Sequence, residues 1–188
     1  MFGDLNSYMN IKKRAYVKDM ATIAMCTSVI IISSWIAIPF AVSITMQLAA
    51  IFIISLLFGL KISLASVLLY IFIGFCGLPV FSGFNSGLSA ILGPTGGFII
   101  GFIFIPVIIN AFKLSKTSAK TSALLSMLFS LLACYALGVI WYWKIYARTT
   151  DVGFMGAFGV CVVPFLIPDI LKIFLSIFIV SKLKNHIK

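Results

Sequence analysis

Acidic side chains are scarce in this sequence: four Asp and Glu residues stand against fourteen Lys and Arg in 188 positions, and the single histidine, His186, lies in the basic C-terminal tail. One histidine in a tail cannot assemble a Ser-His-Asp relay or a zinc site. A G-x-x-x-x-G-K-[ST] loop is also absent, and the nearest stretch, Gly93-Pro94-Thr95-Gly96-Gly97, lacks the lysine that would reach a nucleotide phosphate. The four cysteines (Cys26, Cys76, Cys134, Cys161) occur singly inside apolar runs, without the spacing of a metal site or redox pair, and read as small core residues. No catalytic residue, metal or cofactor is expected, and no ATP hydrolysis. Charge of either sign is in short supply. With 10% charged and 62% hydrophobic residues and a mean hydropathy of +1.21, too little polar surface exists to cover a water-soluble globule. The solvent is therefore lipid.

Backbone groups away from water are satisfied only in helices and closed barrels. The apolar runs here are long and unbroken, unlike the short alternating segments of a barrel. Charges and prolines divide them into six expected spans: Met20 to Ile38, Val42 to Leu60, Ile62 to Leu78, Gly96 to Phe112, Ala123 to Trp143 and Phe154 to Val180. This makes one all-α membrane domain, 1–188, with a short polar leader over about residues 1–18. The leader precedes a full-length apolar run and no small-x-small cleavage pattern follows, so the first span reads as an anchor. A cytoplasmic N-terminus puts Lys12, Lys13, Arg14, Lys18, Lys61, Lys113, Lys116, Lys120, Lys182, Lys184 and Lys188 inside, against Lys144 and Arg148 outside. The positive-inside rule thus favours two cytoplasmic termini in a plasma-membrane protein. These cations follow short joints and never form a basic face interleaved with aromatics, which argues against nucleic acid as a partner.

The outward joint from Gly74 to Gly97 carries no charge and holds seven of the fourteen glycines, together with Pro79 and Pro94. Such a stretch is not expected to be regular helix. It reads as a folded cap or re-entrant loop at the outer surface with backbone N–H groups free to face a ligand, or as a tight-packing connector. Trp141, Tyr142, Trp143 and Tyr146 cluster at the outer end of the fifth span, where an interfacial aromatic belt is the default reading.

Asp169 and Lys172 are the acid and base that lie well inside an apolar span. Each would cost roughly 2.5–3.5 kcal/mol at the centre of a membrane helix, and a spacing of three puts both on one face, where they pair or share a polar ligand. A structural ion pair near the outer interface, with Pro164 and Pro168 ending the regular helix, is the plainer alternative. Counted from Lys182, Asp169 lies about 20 Å up the helix, in the outer half of the bilayer. The glycine-rich loop would fold into that same half, making Asn85, Ser82, Ser86 and Thr95 candidate partners. Gln47 in the second span and Tyr135 in the fifth are further polar groups at membrane depth, where interhelical hydrogen bonding is the ordinary role. A secondary transporter would be expected to show repeated halves and a coupling-ion path; no repeat and no second buried carboxylate is evident.

Several runs carry a resemblance: Ile44-Thr45-Met46-Gln47-Leu48, Gly77-Leu78-Pro79-Val80-Phe81-Ser82-Gly83, Leu92-Gly93-Pro94-Thr95-Gly96-Gly97-Phe98, and Pro164-Phe165-Leu166-Ile167-Pro168-Asp169-Ile170-Leu171-Lys172. In this order they resemble the BioY family, the biotin-specific substrate-binding (S) components of energy-coupling-factor transporters, from about Lys18 to Lys182. The resemblance implies a six-helix S-component bundle that captures biotin from outside. Uptake would then be driven by a transmembrane coupling (T) component carrying two ATPase subunits. It places Asp169 and Lys172 in the family's final motif, with Asn85, Thr95, Gln47 and Tyr135 as further substrate-binding candidates. Ureido N–H donors and a carbonyl suit the Asp169 carboxylate and the Asn85 amide, and Lys172, Thr95 or loop N–H groups are the candidates for the ligand carboxylate. Docking in this superfamily uses a small-x-x-x-small pattern on the first helix; the match here is Ala24-x-x-x-Ser28 with Ala21 adjacent, a pattern that generic helix packing also explains. The competing readings are an S component for another vitamin, an autonomous carrier of a small carboxylate, and a non-transport membrane subunit.

Overall fold

A computed structural model describes residues 2–39, 42–113, 119–146 and 153–186. The first helix, α1 (Phe2–Trp35), is 34 residues long, so it rises about 51 Å, and the residues expected to form a separate leader continue the same helix. A two-stranded antiparallel ribbon follows, β1 (Ala37–Ile38) against β2 (Ile44–Thr45), with Ala37 opposite Thr45 and Ile38 opposite Ile44. Helices α2 (Gln47–Leu57) and α3 (Leu60–Phe75) come next. A 3-10 turn at Ser82–Phe84 leads to the short α4 (Gly87–Leu92), then α5 (Gly96–Gly101) and α6 (Phe104–Phe112). The chain ends with α7 (Ala119–Trp141), a π turn at Tyr142–Tyr146, α8 (Phe154–Cys161), a 3-10 turn at Val163–Phe165 and α9 (Leu166–His186).

Among the described residues, three stretches are long and apolar enough to cross a bilayer: Lys13–Trp35, Lys120–Ile145 and Phe154–Lys184. The remaining apolar helices are shorter. The expected second span from Val42 to Leu60 is corrected to an 11-residue helix, which rises only about 16 Å. The physical reason lies in what precedes it. Pro39 pushes Ile38 toward extended backbone, and the β-branched Ile44 and Thr45 complete a ribbon that uses up the outer part of the apolar run. For the same reason α1 stops at Trp35 and not at Ile38. The fourth span is interrupted between Gly101 and Phe104, and the sixth between Cys161 and Leu166. At the second break, Pro164 sits in the 3-10 turn and Pro168 in the first turn of α9, where a missing N–H breaks no intrahelical bond.

Small residues let the helices close on one another. A Cβ on Gly97 would lie 2.4 Å from Trp141 Cβ and 2.7 Å from Leu137 O, and one on Gly101 would lie 2.9 Å from Cys134 Sγ. A Gly-x-x-x-Gly face on α5 therefore brings its backbone directly onto α7. Hydroxyls join the other helices: Thr27 Oγ1 donates to Ser66 O (3.2 Å) between α1 and α3, and Ser176 Oγ to Ala49 O (3.4 Å) between α9 and α2. At the opposite end of α2, Lys113 Nζ donates to Ser55 O (2.8 Å) and Phe58 O (3.2 Å), a cation on the carbonyl end of a helix.

The expected irregular stretch from Gly74 to Gly97 leaves regular helix after Phe75, but the run Gly87–Leu92 forms a helix of six residues within it. Its glycines work where the chain must turn: Gly83 and Gly87 have φ of +68° and +72°, a region that costs other L-residues. Trp35 Nε1 donates to Pro79 O (3.0 Å), and the Trp35 and Phe84 rings lie 5.3 Å apart, so the end of α1 holds this segment down. Its other end is held by Trp141, whose Nε1 donates to Gly93 O (3.0 Å). Trp141 is thus a fastener for the loop and not a member of a lipid-facing belt, and Tyr142 is buried; Trp143 is exposed against Phe154. The Tyr146 side chain lies outside the described residues, as do Lys116 and Arg148.

Candidate functional site

Bonding α9 to α7 and α2, and folding the glycine-rich segment over their ends, leaves a cavity of about 400 Å³, within the range of roughly 300–1,000 Å³ typical of small-ligand sites. Its walls come from widely separated parts of the chain. The ribbon and α2 contribute Val42, Ser43, Thr45, Gln47 and Leu48; α3 contributes Tyr70; the glycine-rich segment contributes Phe81, Ser82, Asn85, Ser89 and Thr95. Phe98, Ile99 and Phe102 line it from α5 and the break that follows, Leu131, Cys134 and Tyr135 from α7, and Phe165, Asp169 and Lys172 from the sixth apolar stretch.

Asp169 stands in the first turn of α9, where the positive end of the helix favours an anion. Lys172 follows one turn on; its Nζ donates to Asp169 Oδ1 at 2.6 Å, while Tyr135 Oη donates to Oδ2 at 2.6 Å. The pair is 3% and 6% exposed, so it faces the protein interior and is not a snorkelling pair at a lipid boundary. Ser176 Oγ donates to Lys172 O (2.7 Å), fixing the next turn. Ionised oxygens have further lone pairs and the ammonium has two further protons, so the cluster can still engage a ligand with both donors and acceptors.

A second polar group in the cavity is neutral. Gln47 and Tyr70 are buried, and Tyr70 Oη sits beside Gln47 and Ser34. Buried polar groups in such contact ordinarily pair with one another. Between the polar groups the lining is aromatic, with the Phe98 and Phe165 rings near-parallel at 6.3 Å.

Of the residues singled out from the sequence, Asp169, Lys172, Tyr135, Gln47, Asn85, Thr95 and Ser82 line one cavity, and Ser86 does not. Asn85 Nδ2 donates to Ser82 O (2.8 Å) and Thr95 Oγ1 to Ala90 O (3.4 Å), so both first shape the loop. Ala21, Ala24 and Ser28 are far from this cavity in role: they form an exposed strip on α1, where Ser28 Oγ donates back to Ala24 O. Tyr70 escaped the sequence reading. The signal that picked out Tyr135, a lone hydroxyl-bearing aromatic inside an apolar span, applied equally to it.

Comparison with known proteins decides the kinship. The model of the BioY family matches residues 7–188. The chain belongs to the BioY family. It is 32% identical over 170 residues to the probable biotin transporter BioY of Pyrococcus horikoshii, covering 90% of this chain and 98% of that protein. It is 31% identical over 173 residues to the biotin transporter BioY of Thermotoga maritima, covering 90% and 97%. In three dimensions it is similar to the crystal structure of the S-component for biotin from an ECF-type ABC transporter, with a TM-score of 0.79, 28% identity and coverage of 92% and 93%. Like its BioY relatives, the chain is a membrane protein.

Proposed function

We propose that this BioY-family chain is the biotin-binding S component of an energy-coupling-factor transporter, capturing biotin outside the cell for uptake powered by partner subunits. The observation that carries the reading is the buried Asp169–Lys172–Tyr135 cluster at the wall of a cavity of about 400 Å³. Intramembrane ionisable groups are expensive and ordinarily functional. A ureido ring presents N–H donors to Asp169 and a carbonyl to the Lys172 ammonium or the Asn85 amide, while Phe98 and Phe165 offer apolar faces to the rest of the molecule. Gln47, Tyr135 and Thr95 complete the substrate-binding set.

In this reading residues 1–188 form one substrate-binding domain crossing the plasma membrane six times, with both termini cytoplasmic. The shorter apolar helices α2, α3 and α5–α6 count as spans because their neighbours cover what they do not reach. The glycine-rich segment is the outer cover of the cavity. The exposed Ala21, Ala24 and Ser28 strip on α1 suits close approach by a helix of a T component, which would carry two ATPase subunits. The chain itself does no chemistry on its substrate.

Uptake of labelled biotin into proteoliposomes tests the arrangement. With T component, ATPases and internal ATP present, accumulation is expected; with this chain alone, binding without accumulation. Accumulation by the chain alone, insensitive to ATP, would make it an autonomous carrier.

A further inference from the structure

Far from the cavity, every side chain from Lys13 to Lys18 on α1 is exposed. The stretch of α1 that can cross a bilayer begins at Lys13, so these turns lie at headgroup level. Lys61 Nζ, at the start of α3, donates to Asp19 Oδ2 at 3.0 Å. That bond ties α3 to α1 beside the exposed turns, and an open groove lined by Lys13, Tyr16, Val17, Asp19 and Lys61 lies there. Tyr16 and Val17 give it an apolar floor, each 63% exposed, and the exposed Met20 continues the same helical face toward the hydrocarbon. The charge around this floor does not balance. Among the described residues of these turns and of the start of α3, Lys13, Arg14, Lys18 and Lys61 stand against Asp19 alone. Asp19 engages one of the three ammonium protons of Lys61, whose side chain is 74% exposed.

We propose that the groove between α1 and α3 seats an anionic phospholipid, with the headgroup phosphate between Lys13 and Lys61 and an acyl chain along Tyr16, Val17 and Met20. Charge and polarity together select this occupant. Surplus cations at the edge of a membrane helix attract anionic lipid, and a free anion would leave the apolar floor without a use. Arg14 and Lys18, on the same turns, add to the field that draws the headgroup in. The inference is independent of the biotin reading, since no group of the cavity takes part in it.

The test is titration of the detergent-purified chain with dioctanoyl phosphatidylglycerol and, in parallel, with dioctanoyl phosphatidylcholine and inorganic phosphate, read by native mass spectrometry. Phosphatidylglycerol is expected to bind at least about tenfold more tightly than phosphatidylcholine, and an equal concentration of inorganic phosphate is expected not to displace it. Lys13→Gln combined with Lys61→Gln should weaken phosphatidylglycerol by about tenfold or more. Lys182→Gln combined with Lys184→Gln removes the same charge from the end of α9 and should change it by less than about threefold. The Lys61–Asp19 pair is exposed, so its loss should leave the melting temperature nearly unchanged. If the double variant does not fold, Lys13→Gln alone decides, with an expected loss of about fivefold. Equal binding of the two lipids, equal losses in the two lysine pairs, or no loss in the folded groove variant would overturn the proposal. Displacement by inorganic phosphate would overturn it too, by making the groove a site for a free anion.

Discussion

At the scale of single residues, Asp169 carries the account. It is buried, accepts from Lys172 and Tyr135, and lies at the positive end of α9. Removing one partner of a buried pair leaves an uncompensated charge, at a cost of about 3–5 kcal/mol. Asp169→Asn keeps the shape but strands the Lys172 charge, so it is expected to lower stability and to weaken biotin binding by at least about tenfold, or 1.4 kcal/mol. Asp169→Asn combined with Lys172→Met should recover stability and leave binding weak. Recovery of binding along with stability, measured by titration and thermal melting, would reduce Asp169 to a structural role. Charged residues such as these were legible in the sequence because an apolar background makes them conspicuous. Tyr70 carried the same signal as Tyr135, a hydroxyl inside an apolar span, but its place in the cavity wall beside Gln47 comes from packing between helices that no local pattern shows.

At the scale of elements, the α5–α7 contact sets the cavity wall, since it positions Phe98 and Tyr135 on adjacent helices. Gly97 lies too close to Leu137 O and Trp141 for any side chain. Gly97→Ala should therefore cost about 1–3 kcal/mol by overpacking, despite the gain of about 1 kcal/mol in helix propensity. Gly159→Ala on α8, where a Cβ meets nothing within 4 Å, should be neutral or slightly stabilising. Equal melting temperatures for the two variants would show that α5 does not need its close approach. Hydropathy marked the apolar character of these segments but misjudged how much of each is helix. The run from Val42 to Leu60 is uniformly apolar, and hydropathy reports burial, not backbone conformation; the ribbon at its start follows from Pro39 and the pairing of Ile38 with Ile44, a non-local contact. The prolines at 164 and 168 did mark the break before α9, because their effect on the backbone is local.

At the scale of the whole molecule, membrane character and kinship were legible from composition and from the order of four short motifs, while the cavity was not. Its walls join residues as far apart as Val42 and Lys172, and no local pattern encodes that closure. Once assembled, the fold places a paired acid and base, the buried Gln47 and Tyr70 and an aromatic wall around one space that the glycine-rich segment helps to line. That arrangement predicts a single ligand per chain. Titration of the detergent-purified protein with biotin, by calorimetry and with thiamine and riboflavin in parallel, measures it directly. The account predicts saturable one-to-one binding of biotin and none of the other two vitamins; a folded protein that ignores biotin, or that binds either control more tightly, would contradict it.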